Sequence, residues 1–135
     1  MQVFLPYPDF RKSVRCLDPK RLGNQIYREC LTIIRGGWHN HPVAKMWAPY
    51  KNALAHYALA GLDELKARGH DYPHHRLAFR EFLRLHPYPA QPSWLGDPVL
   101  HASHRSNLLR KDPSWYSQFG WTEPPTLPYF WPHAS

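Results

Sequence analysis

Glu29 is the residue of this chain best placed to move a proton. It lies in a stretch with helix signals at both ends, Asp18-Pro19 at the start and Gly36-Gly37 at the exit. Aspartate caps a helix, proline suits its first turn and glycine suits its end. At about 100° per residue, Leu22, Ile26, Cys30 and Ile33 share one side, while Arg21, Gln25, Arg28 and Arg35 fall roughly opposite. Glu29 lands at the border between the two arcs. A core on one side desolvates the carboxylate and raises its pKa, and the arginines on the other lower it. Acid–base chemistry on a polyanion uses such a group. The alternative is a boundary glutamate paired with Arg28 or Lys20.

Three further constellations carry reactive or binding side chains. Trp38-His39-Asn40-His41-Pro42 stands at a helix start, where free amides hold an anion such as phosphate. Its His-x-His pair is half of a metal site, but no carboxylate–histidine pair at firm spacing completes it, so neither metal nor cofactor is expected. The alternative for His39 and His41 is capping or core packing. In the second constellation, one helical face would collect His101, His104, Arg105 and Leu108, and another Ser103, Ser106, Asn107 and Arg110. These read as phosphate contacts or as a solvated face. In the third, Trp115, Tyr116, Phe119 and Trp121 place four aromatics in seven residues beside Arg110 and Lys111. They form a base-stacking platform, a core plug for the C-terminal region, or both. No P-loop, G-x-S-x-G, H-E-x-x-H or dinucleotide fingerprint occurs, which removes support for nucleotide-dependent, serine-hydrolase and zincin chemistry.

The elements that must position these groups read as helices. Pro6 and Pro8 keep residues 1–17 an extended arm, with a short strand possible at 2–5. Helices are predicted over 19–35 and from Pro42 to about Arg68, the second kinked or split at Pro49. Gly69 ends it. A third helix covers 73–85 with Ala78, Phe82 and Leu85 inward, and a loop follows over 86–96. Asp97-Pro98 opens a helix to about Arg110, and 112–116 form a further helical turn. The proline- and aromatic-rich tail from Thr122 packs across the body. The expected fold is all-α, a single helical domain over 1–135 with an extended N-terminal arm.

With 135 residues, a charge of +7 and ten further histidines, the chain has room for one core and favours an anionic partner. Aromatics make up 15% and are interleaved with Arg and His, which favours nucleic acid over a membrane surface. No apolar run suits a membrane span, the start does not read as a secretory signal, and Cys16 and Cys30 form no CxxC. A reduced, cytoplasmic and nucleoid-associated monomer is expected, with Cys30 in the core and Cys16 at the surface.

Leu17-Asp18, Tyr27-Arg28-Glu29, Asn40-His41-Pro42 and Pro113-Ser-Trp115-Tyr116 with Phe119-Gly120 occur in this order. In that arrangement the chain resembles the pyrimidine-dimer DNA glycosylases of the phage endonuclease V type. The residues between about 50 and 95 match only as helix. The resemblance implies an all-α repair enzyme whose α-amine attacks deoxyribose C1′ and forms a Schiff base. Glu29 would be its acid–base group, Arg28 would hold the lesion strand, and Trp115 and Tyr116 would meet the damage. The amine would be that of Met1, because bulky Gln2 disfavours removal of the initiator. An α-amine pKa of about 7.7–8.0 leaves a useful neutral fraction near pH 7. The chain departs from the phage enzyme in its longer arm and in Gln2, where that enzyme has an arginine beside its amine.

The expected activity is therefore a glycosylase with abasic-site lyase action on double-stranded DNA carrying a pyrimidine dimer. Met1 and Glu29 would be catalytic, and Arg21, Arg28, His39, Asn40, His41, His104, Arg105, Asn107, Trp115 and Tyr116 would contact DNA. The alternatives are another damaged base, a non-enzymatic nucleic-acid-binding module, or a metal-dependent nuclease built on His39/His41 or His101/His104.

Overall fold

Asp-Pro and His-Pro pairs start four of the helices. In the computed structural model, which describes residues 2–132 (Tyr27 by its backbone alone), Asp18, His41, Asp97 and Asp112 accept backbone N–H groups at these starts, and Pro19, Pro42, Pro98 and Pro113 take the first turn. Each such cap is worth about 0.5–2 kcal/mol. The helices are α1 (Phe10–Cys16), α2 (Pro19–Asn24), α3 (Leu31–Ile34), α4 (Pro42–Trp47), α5 (Lys51–Ala67), α6 (Pro73–Leu85), α7 (Pro98–Lys111) and α8 (Pro113–Tyr116). A π-helical stretch, Gln25–Cys30, joins α2 to α3, and a 3-10 turn containing Pro49, Ala48–Tyr50, joins α4 to α5. The fold is all-α, and no strand occurs among the described residues.

α5 is the central element. It packs against α1, α6 and the α2–π–α3 segment. Leu54, Tyr57, Ala58 and Leu62 are buried along it, and burial of a side chain such as Leu54 contributes about 1.5–3 kcal/mol. Gly61 lets the α2–π segment come close, because a Cβ there would run into the Ile26 side chain. Trp94 anchors the 86–96 loop, its indole N–H donating to Met46 O at 3.2 Å and its ring meeting Trp47 edge-on at 4.9 Å.

The arm differs from expectation in two ways. Its second half is α1, capped by Asp9. Its first half is extended but is neither a strand nor a surface segment: Gln2, Val3, Phe4 and Leu5 are all at most 5% exposed. A buried backbone needs partners, and side chains supply them. Phe4 N–H donates to Gln25 Oε1 at 2.6 Å, and Phe4 O accepts from the Tyr57 hydroxyl at 2.7 Å. Leu5 N–H donates to His104 Nδ1 at 2.8 Å, Leu5 O lies 2.7 Å from His101 Nδ1, and Pro6 O accepts from Arg105 at 2.7 Å.

Two smaller expectations are corrected. Leu85 is 60% exposed, and Phe79 is the fully buried residue of α6. Cys16 is buried, with its thiol against the carbonyls of Lys12 and Ser13.

Candidate active site

Gln25 and Glu29 stand four residues apart in the π-helical stretch. Wide π turns are rare, occur mostly as single-turn insertions in α-helices and are frequent at functional sites. Here the turn brings Gln25 fully inside, 2% exposed, where its Oε1 accepts Phe4 N–H and lies 2.8 Å from the Tyr57 hydroxyl oxygen. Glu29 remains half-buried. It lines a cavity of ≈ 160 Å³ together with Gln2, Phe4, Arg21, Asn24, Gln25, Lys111 and Tyr129.

One carboxylate oxygen of Glu29, Oε2, is buried and has no hydrogen-bond partner among the described residues. Desolvation holds the carboxyl above its ordinary range, opposed by the positive charges of the amino terminus and Arg28. A structural carboxylate is normally satisfied; one left unpaired in a cavity is available to a substrate. In a larger cavity of ≈ 380 Å³, the carboxylate of Asp63 is already paired with Arg76 at 2.7 Å and Arg11 at 3.4 Å.

The cavity's charge surroundings are cationic. Arg21 pairs with the helix cap Asp18 at 3.2 Å. Arg28 is exposed and makes no ion pair among the described residues. Burial, followed by the charges of Arg21 and Arg110, pushes the Lys111 ammonium below its ordinary pKa.

The other expected site residues fall into two groups. His39 and Asn40 are exposed on the turn before α4. His41 is half-buried, caps α4 by accepting Val43 N–H at Nδ1 (3.0 Å), and meets the Trp131 ring edge-on at 5.7 Å. Burial and the amino-terminal charge lower its pKa. Arg28, His39 and Asn40 are therefore free to meet a phosphate.

The second group is turned inward. His104 is fully buried, and burial pushes its pKa down to about 3. It braces Leu5 instead of facing solvent. Arg105 is held by Glu123 at 2.9 Å as well as by Pro6 O. Asn107 is 1% exposed, donates to Ser103 O and Leu127 O, and accepts from Arg110. Tyr116 is fully buried, its hydroxyl donating to Asp18 Oδ1 at 2.5 Å and accepting Asp18 N–H at 3.0 Å. Trp115 donates to Cys16 O at 2.8 Å. The expected stacking pair thus pins α8 to the α1–α2 junction, and the expected phosphate face of α7 holds the arm. His101 and His104 both direct ring nitrogens at Leu5, and no three His, Cys, Asp or Glu side chains among the described residues could share a metal.

Gln25, Lys111 and Tyr129 belong to the cavity although their sequence context did not single them out. Gln25 carried a signal, as an uncharged polar residue one turn before Glu29. Tyr129 carried none beyond its aromatic ring. Met1 lies outside the described residues.

The profile of the family described as pyrimidine dimer DNA glycosylase matches residues 1–79, which span the arm, the Glu29 helix, α4 and α5. No curated protein and no solved structure matches the chain.

Proposed function

The chain belongs to the pyrimidine dimer DNA glycosylase family, and on that premise we propose that it opens damaged DNA through an amine Schiff base at the Glu29 cavity. One observation carries this reading. A half-buried carboxylate, one oxygen of which has no hydrogen-bond partner among the described residues, shares a cavity with Gln2, the residue bonded to Met1. The +7 charge and the exposed Arg28 suit a DNA substrate.

The neutral Met1 amine attacks C1′ of the damaged nucleotide. The glycosidic C1′–N bond breaks, and the base leaves with the bonding pair and takes up a proton. The amine nitrogen gives a proton to Glu29, which passes it to O4′ as the C1′–O4′ bond opens, leaving an iminium between C1′ and the amine. C2′ then loses a proton to the Glu29 carboxylate, a C2′–C3′ double bond forms, and the 3′ phosphate departs with its bonding pair. Water releases the amine. The raised pKa of Glu29 suits a group that both accepts and donates a proton. The α-amine titrates near neutrality, so it needs little activation. Target access requires a nucleotide flipped out of the duplex, and lesions that weaken stacking lower that cost. The working unit is the single-domain monomer, and the substrate is a cyclobutane pyrimidine dimer.

Borohydride trapping of the untagged protein with EDTA present tests this, on duplexes carrying an abasic site or a cyclobutane thymine dimer. The expected result is a covalent adduct whose peptide map places DNA on Met1. Glu29→Gln should lower the trapping rate by roughly 10²–10⁴-fold while DNA binding is kept. An adduct on neither substrate, with intact binding, would leave a non-enzymatic DNA-binding module or a glycosylase that uses water in place of an amine. Cleavage that EDTA abolishes would make it a metal-dependent nuclease.

A further inference from the structure

The tail beyond α8 lies outside the 1–79 match, yet it supplies a wall of the Glu29 cavity. Side chains of α7 hold it in place. Leu127 N–H donates to Ser106 Oγ at 3.0 Å, Leu127 O accepts from Asn107 at 3.1 Å, and Phe130 N–H donates to Ser103 Oγ at 3.3 Å. Tyr129 sits between these anchors. Its ring meets His104 edge-on (6.1 Å, 86°) and leans on Phe4 (6.3 Å) and Trp131 (5.3 Å). Neighbours on several sides therefore fix the plane of the ring.

We propose that Tyr129 is the stacking surface for the nucleobase at the reacting nucleotide, and so a residue that sets substrate preference; this rests on the glycosylase reading above. Four observations converge on it. Among the described residues, Phe4 and Tyr129 are the aromatic ones lining the cavity, and Phe4 is 5% exposed with its ring packed against the His104 edge at 5.9 Å. Trp115 and Tyr116 are committed to the α1–α2 junction. The Tyr129 hydroxyl has no hydrogen-bond partner among the described residues, which leaves it a donor for a base edge. Burial raises its pKa to about 12 against the pull of Arg110 and Arg21, so it stays protonated at neutral pH.

The open space of ≈ 160 Å³ is about five waters' share of liquid volume, on the scale of one planar base. With Glu29 and Tyr129 lining the same small space, a base stacked on the ring brings its own C1′ close to the carboxylate.

The test compares wild type, Tyr129→Ala and Tyr129→Phe on two duplexes. One carries a cyclobutane thymine dimer, with glycosidic cleavage read as hot-alkali scission in a single turnover. The other carries a preformed abasic site, with borohydride trapping as the readout. Base stacking on an aromatic ring predicts that Tyr129→Ala loses roughly 10- to 100-fold on the dimer and nothing on the abasic site, where no base remains to stack. Tyr129→Phe should keep the dimer rate to within a few-fold. Equal losses on both substrates would mean that Tyr129 merely supports the arm, and undiminished dimer cleavage by Tyr129→Ala would remove it from recognition. A wild-type protein inert on both duplexes overturns the glycosylase reading and this one with it.

Discussion

His104 makes the attachment of the arm sensitive to acid. Its Nδ1 accepts Leu5 N–H at 2.8 Å, so that nitrogen must be unprotonated in the fold. Complete burial, followed by the neighbouring charge of His101, pushes its pKa from 6.5 down to about 3. The unfolded chain therefore binds this proton more tightly than the folded one. Stability is intact above about pH 6.5 and falls as the pH drops towards the folded value. At pH 5 the unfolded chain carries about 1.5 pH units of excess protonation at this site, and at about 1.36 kcal/mol per unit the loss is about 2 kcal/mol. Because pH 5 lies above the folded pKa, that loss depends almost entirely on the unfolded value. His104→Asn offers an oxygen acceptor to Leu5 N–H without a titratable group. Urea unfolding of both proteins at about pH 7.5 and 5 checks the magnitude, and the variant should lose about 2 kcal/mol less than the wild type between them. His41 and His75, also held below their ordinary pKa, contribute in both proteins and cancel in the comparison. An equal loss in the variant would refute the assignment of the proton to His104.

Two perturbations of the Glu29 support follow from packing. Gln25→Leu leaves Phe4 N–H buried without an acceptor, which should cost about 1–3 kcal/mol in urea unfolding and slow Schiff-base trapping by loosening the arm; unchanged stability would show that Phe4 finds another acceptor. Gly61→Ala puts a Cβ onto the Ile26 side chain and should destabilise by about 1–3 kcal/mol, and a neutral effect in the same assay would mean that α5 and the π stretch separate freely.

Local signals in the sequence were enough for the helices that open on Asp-Pro or His-Pro, but not for α1, which Asp9 caps inside the stretch expected to be an extended arm. Asp18, Asp97 and Asp112 before prolines mark starts whose chemistry is complete within four residues, and Pro49, in the interior of the run from Pro42, breaks it. The π stretch was not legible, because a wheel drawn at about 100° per residue assumes a regular α-helix. That assumption put Gln25 with the arginines, whereas the structure buries it. α7 misled for a different reason. Its His101, Ser103, His104, Ser106 and Asn107 look like a solvated or phosphate-binding face, yet all five are buried. They are polar because what covers them is bare backbone, the arm on one side and the tail on the other. Only long-range contacts reveal that, and the same holds for Tyr116, whose partner Asp18 lies 98 residues away. Glu29 could be placed from the helix alone, but its cavity wall at Tyr129 could not.

The α7 bracket also orders events in time. Leu5 meets His104 across 99 residues, and Cys16 meets Trp115 across another 99. Closing loops of that length is slow compared with forming helices. As the chain emerges from the ribosome, α1 to α6 can form while Leu5 still waits for α7 and the Glu29 cavity lacks the wall that Tyr129 provides. The reactive centre is thus completed only once α7 and the segment carrying Tyr129 have been made, and a chain cut short before α7 would keep its early helices without the pocket they serve.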